Sequence, residues 1–215
     1  MFITFEGIEG AGKSTVMARL ASYMQSRGDT PVITREPGSG ALGRRLRSLL
    51  LDCRRERVVP EAELCLFLAD RAQHIAEVIR PGLEAGQAVL CDRYVDSTLA
   101  YQGYGRGIKI ADLRQMNLIA AGRFLPDLTI LLDLTPQAGL ARAGERNKAS
   151  GTVISEGRFD AESLEFHGRV RKGYLELAKS EPGRFRVLDA SRDIEAVSRD
   201  CIVAYVELKE RLGNG

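Results

Sequence analysis

Residues 7–15, GIEGAGKST, follow the apolar opening MFITFE and precede a stretch with helical character. Gly7-Ile8-Glu9-Gly10-Ala11-Gly12-Lys13-Ser14 fits G-x-x-x-x-G-K-[ST] without a mismatch, in the strand-then-helix setting that this pattern requires. Glycines let successive backbone N–H groups turn inward and cradle phosphate oxygens at the positive end of a helix. In such a cradle, which runs from Gly7 to Thr15, Lys13 would reach the β and γ phosphates of a nucleoside triphosphate and Ser14 would offer its hydroxyl to Mg²⁺. The corner thus commits the chain to an α/β fold built around a nucleoside triphosphate.

The rest of the chain agrees. Short runs rich in aliphatic and β-branched residues at 2–5, 31–35, 87–91, 128–134 and 184–189 read as buried strands. Helical patterns fall between them, at about 13–27, 41–51, 61–79, 110–121, 136–145, 160–180 and 193–211. Strands separated by helices imply right-handed crossovers, hence a P-loop NTPase fold with a five-stranded parallel sheet flanked by helices on both faces. A length of 215 residues suits one domain over the whole chain. GERNKASGTVISEGRF, residues 144–159, has little periodicity and reads as a mobile loop.

Composition narrows the partners. A net charge of +2 with dispersed basic residues gives no footprint for nucleic acid. Cys53, Cys65, Cys91 and Cys201 form no C-x-x-C pair, and His74 and His167 alone do not complete a zinc site; reduced thiols in the cytoplasm are expected. Neither a leading secretory segment nor an apolar run near 18 residues is present, so no membrane span is expected.

A phosphate loop alone does not choose between a switch GTPase, a motor-type ATPase and a small-molecule kinase. The nearest string to the guanine-reading N-K-x-D is Asn147-Lys148-Ala149-Ser150, which lacks the base-pairing carboxylate. VLCD and ILLD end two strands at Asp92 and Asp133; Asp92 is followed by Arg93, so one strand end delivers a carboxylate towards the metal and a guanidinium towards a phosphate. Asp133 reads as a strand-end residue.

Five strings then occur in a characteristic order: Glu6 to Ser14, Thr34-Arg35-Glu36-Pro37-Gly38, Leu66-Phe67-Leu68-Ala69-Asp70-Arg71, Asp92-Arg93-Tyr94 with Ser97, and Ala100-Tyr101-Gln102-Gly103. Together they resemble the thymidylate kinases of bacteria. The resemblance implies the reaction ATP + dTMP ⇌ ADP + dTDP, with Mg²⁺, and a homodimer. The acceptor is a phosphate monoester with a second pKa of about 6, so it attacks without a general base and catalysis rests on alignment and charge cancellation.

The same resemblance implies individual roles. Arg35 and Arg93 match the acceptor-phosphate ligands, and both fall at carboxyl ends of expected strands. Glu9 matches an acid that accepts from the acceptor's 3′-hydroxyl. Phe67 and Arg71, four apart on one helix face, match the residues that stack on the base and meet a thymine carbonyl. Tyr101 matches the ring beneath the deoxyribose, and Ser97 and Gln102 match polar positions beside the base. Residues 142–159 resemble a lid that closes over ATP, and members with Gly10 rather than a basic residue in the loop draw a transition-state arginine from it. Arg146 and Arg158 are both candidates. Ser191 and Arg192, after the last strand, fall near the adenine by position.

Overall fold

The computed structural model of the chain describes residues 1–52, 58–150 and 157–213. β1 (Phe2–Glu6) is wholly buried because every one of its residues is sandwiched between neighbouring strands and two helical layers. β2 (Val32–Arg35), β3 (Val89–Asp92), β4 (Leu128–Asp133) and β5 (Phe185–Asp189) pair with it or with each other, all in parallel, in the order β2-β3-β1-β4-β5. The order reverses at β1, so the crevice for ligands opens at its carboxyl end. There the register sets Asp92 opposite both Phe5 and Arg35.

Helix α1 (Lys13–Ser26) buries Val16, Met17, Leu20 and Met24 against β1, β3 and the C-terminal helix in the main core. α2 (Gly40–Leu51) and α3 (Pro60–His74) follow, and α3 passes through a π-helical turn at Ile75–Ile79 into α4 (Arg80–Glu84). α5 (Val95–Thr98) runs into a second π-helical turn, Leu99–Gly105, before α6 (Ile110–Ala121). α7 (Pro136–Ser150), α8 (Leu164–Ser180) and α9 (Ile194–Gly213) complete the layers. Among the described residues, no helix is long and apolar enough to cross a membrane.

The expected strands agree within two residues at each end, whereas the helical stretch expected to end at 79 runs on to Glu84 and the helices differ in three further places. The expected loop is helical from 144 to 150, because α7 continues five residues past its expected end; 151–156 and Cys53 lie outside the described residues. Four residues are cut from the start of α8, where Ser163 caps it by accepting from the Phe166 amide at 3.1 Å. The helical stretch Val95–Gly105 has no counterpart in the sequence reading: it is buried on nearly all sides, so its apolar residues show no stripe.

Candidate active site

The phosphate loop leaves the carboxyl end of β1 and packs against the start of α7. Gly10 has φ of +72°, and a Cβ there would overlap the carbonyl oxygen of Gly139. Conversely, a Cβ on Gly139 would stand 2.5 Å from the Glu9 carbonyl oxygen. Two facing glycines therefore let loop and helix touch through backbone alone.

Lys13 is buried and donates from Nζ to the carbonyls of Gly7 at 3.0 Å and Ile8 at 2.9 Å, folded along the loop that would hold phosphates. Burial, followed by repulsion from Arg93, pushes its pKa down to about 8. Ser14 donates to Asp92 Oδ2 at 3.2 Å, while Asp92 Oδ1 is buried without a hydrogen-bond partner. A hydroxyl beside a carboxylate with an orphaned oxygen fits Mg²⁺, which takes one or two protein oxygens and completes its shell with phosphate and water. Among the described residues, no group of three or more His, Cys, Asp or Glu side chains is arranged to hold a metal ion.

Arg93 follows Asp92 with φ of +67°, a strained setting for a non-glycine residue, and this turns its side chain across the crevice. Nη2 donates to Glu9 Oε1 at 2.8 Å, Nη1 to the Gly7 carbonyl at 3.0 Å and to Tyr174 Oη at 3.2 Å, and the guanidinium lies 4.8 Å from the Tyr101 ring centre. Tyr101 donates to Glu9 at 2.7 Å, and His167 Nδ1 stands 3.3 Å from the other Glu9 oxygen. Burial alone would raise the Glu9 pKa; Arg93, with His167 and Lys13 behind it, outweighs burial and holds the carboxyl well below the usual range. Beneath them Glu6 accepts from the Tyr94 amide at 2.7 Å, Ser97 at 2.6 Å and Tyr174 at 2.8 Å. Burial, with Asp96 adding repulsion, pushes Glu6 up to about 7.

Glu9, Lys13, Ser14, Asp92, Arg93 and Tyr101 line a cleft of about 570 Å³ that also receives Arg35, Phe67, Gln102 and, from α7, Arg146. Arg71 reaches the same wall while its Nε pairs with Glu36 at 2.9 Å and its Nη1 donates to Thr98 at 2.9 Å and Asn117 at 2.6 Å. Arg158 takes a different course, pairing with buried Glu63 at 2.5 Å and donating to the Leu50 carbonyl at 2.8 Å, outside the cleft lining. A second recess, about 370 Å³, lies against Gly12 and Arg142 and is lined by Ser191 and Arg192, in the place suggested for adenine. Asp133 is a strand-end residue paired with Arg171 at 2.7 Å. Sequence reasoning missed Arg47, Phe159 and Asp160 in the cleft wall, and His167 behind Glu9; tertiary packing brings them there, and no spacing marks them.

A phosphate loop on the central strand, a metal-side aspartate on its neighbour and two recesses flanking the loop define a P-loop nucleoside monophosphate kinase. A family model described as thymidylate kinase matches residues 5–201. The chain is 61% identical over 215 residues to a thymidylate kinase of Desulfovibrio desulfuricans, covering 100% of this chain and 99% of that one. It is 58% identical over 202 residues to one of Nitratidesulfovibrio vulgaris, covering 94% and 90% respectively. The crystal structure of thymidylate kinase from Ehrlichia chaffeensis superposes with a TM-score of 0.76 at 34% identity, over 95% of this chain and 97% of that one. The chain belongs to the thymidylate kinase family.

Proposed function

We propose that the residues of this cleft align dTMP against ATP for direct, in-line phosphoryl transfer. As a thymidylate kinase the chain phosphorylates dTMP to dTDP, using ATP and Mg²⁺. The observation that carries the assignment of roles is the open cleft whose floor, Arg93, Glu9 and Tyr101, abuts the phosphate loop.

Arg93 and Arg35 receive the acceptor phosphate, bringing two mutually repelling anions together. Glu9, kept ionised, accepts from the 3′-hydroxyl, and Tyr101 supports the sugar. Phe67 stacks on the base; Arg71, with Nε and Nη1 engaged, offers Nη2 to a base carbonyl, and Ser97 and Gln102 border it. Gly7, Ile8, Gly10, Ala11, Gly12 and Thr15 cradle the donor phosphates with Lys13. Ser14 and Asp92 would hold Mg²⁺, which when bound would neutralise charge on the donor phosphates. Arg146, which lines the cleft from the lid segment 142–159, meets the moving phosphoryl group in this reading, whereas Arg158 is paired with Glu63.

The proposal extends to a single domain over residues 1–215, a cytoplasmic location and a homodimer. Exposed Leu118 and Ile119 on α6, the latter 85% exposed, are apolar surface that a second copy would cover. Coupled ADP release should be rapid with dTMP and slow with dUMP, dCMP and AMP; turnover of another monophosphate in preference to dTMP overturns the substrate reading. Light scattering on the purified chain tests the dimer.

A further inference from the structure

Phe159 is the last residue of the lid segment 142–159, yet it is buried and belongs to the cleft wall. Its centre lies 6.1 Å from that of Phe67, tilted 51°, and 5.6 Å from that of Tyr101, edge to face at 86°. Two rings that sandwich a base stand roughly 7–8 Å apart, twice the ordinary carbon contact of about 3.5–4.0 Å. The closer spacing and the tilt exclude a sandwich between Phe67 and Phe159. With the base stacked on Phe67, Phe159 closes the pocket at the base's edge.

The ring is held from several directions. The carbonyl of Phe159 accepts from His167 Nε2 at 3.0 Å. The preceding residue, Arg158, donates from its amide to the Leu51 carbonyl at 3.2 Å and ties its guanidinium to Leu50 and Glu63. Glu63 also accepts from Gln102 at 2.8 Å and from Arg106 at 3.1 Å, and Arg106 reaches on to Glu162 at 2.6 Å. One buried carboxylate thus joins a residue beside the base, Gln102, to the residue that precedes the ring. Arg106 and Arg158 lie over the ring, 5.7 and 5.2 Å from its centre, and these cation–π contacts steady its plane.

The geometry points to Phe159 as a specificity-determining residue of the acceptor site, held in place by Glu63 and Arg158 as positioning residues. Its ring limits the depth of the base pocket, admitting a single-ring pyrimidine and opposing a purine. This inference rests on the reading of the cleft as the dTMP site.

Calorimetric titration with dTMP in the absence of ATP, and steady-state kinetics with dTMP and dGMP, test it on the wild-type chain and on Phe159→Ala, Phe159→Leu and Arg158→Ala. Phe159→Ala should raise both Kd and KM for dTMP by about tenfold or more, with the loss falling on KM rather than kcat, and should cut the preference for dTMP over dGMP at least about fivefold. Phe159→Leu should fall measurably between the wild type and the alanine variant in both, and covers the case in which the alanine variant does not fold. Arg158→Ala should weaken binary dTMP binding by about threefold to tenfold. Unchanged dTMP affinity and an unchanged dTMP-to-dGMP ratio in folded Phe159 variants overturn the specificity role. Normal dTMP affinity with lowered kcat in Arg158→Ala overturns the positioning role. A wild-type chain that binds no dTMP overturns the cleft assignment together with this inference, whereas normal dTMP turnover by the wild type, with both Phe159 variants indistinguishable from it, overturns the inference alone.

Discussion

Arg93 and Glu9 close a 2.8 Å ion pair that joins the end of β3 to the phosphate loop, across the floor where two nucleotides would meet. An acceptor phosphate arriving there competes with Glu9 for a guanidinium already aimed by a strained backbone. Arg93→Ala should therefore lower kcat by more than about tenfold while KM for ATP changes by less than about threefold. Arg93→Lys should recover little, because an ammonium cannot serve Glu9, Gly7 and a phosphate from one planar fork. Steady-state assays with each substrate varied in turn decide this; an unaffected rate removes Arg93 from the mechanism.

The orphaned Asp92 Oδ1 beside Ser14 makes a prediction about metal dependence. Asp92→Asn should raise the free Mg²⁺ needed for half-maximal rate by about tenfold or more, with binary dTMP affinity nearly preserved. A Mg²⁺ titration at fixed ATP reads the shift directly.

Lys13, with its pKa pushed down to about 8, is partly neutral above that pH before ligand arrives. Donor phosphates favour its charged form, so ATP binding at pH 8 to 9 should take up a fraction of a proton, and below about pH 7 this contribution should vanish because Lys13 is charged in both states. Calorimetry in buffers of different ionisation enthalpy measures the uptake. Lys13→Arg, charged throughout, should abolish it.

Glu6 titrates near 7 in the folded chain against an ordinary 4.5. Its folded form therefore binds a proton more tightly than its unfolded form. The stability it contributes is present in full below about pH 4.5 and is lost as pH rises through 7, an effect on the order of 3 kcal/mol. Urea unfolding of Glu6→Gln should lack this component, so its stability relative to wild type should rise between pH 5 and 8. A pH-independent difference between the two would refute the assignment.

What the sequence revealed and what it hid divide along a physical line. Gly7 to Thr15 were readable because a phosphate cradle is made by local backbone, and the strands because burial on both faces demands unbroken apolar runs. Arg35 and Asp92 were readable as strand ends, and their register confirms that they lie side by side. Val95–Gly105 was not, because a segment enclosed on nearly every side carries no amphipathic stripe.

The same division separates the two lid arginines. Sequence offers Arg146 and Arg158 as equals, yet one faces the cleft and the other is captured by Glu63, a residue 95 positions away. Pairing at that distance depends on how α3 packs beside the chain entering α8, and nothing in the local composition encodes it. Phe159 and His167 escaped notice for the same reason.

The facing glycines at 10 and 139 carry a lesson about ancestry and engineering. Because α7 rests on the loop at a point where any side chain would collide, a kinase of this build cannot gain a cationic loop by a single exchange at position 10. The helix bearing Arg142 and Arg146 would first have to lift away. Placing the catalytic charge in the loop and placing it on the overlying helix are therefore mutually exclusive designs, separated by a steric barrier that coordinated change alone can cross.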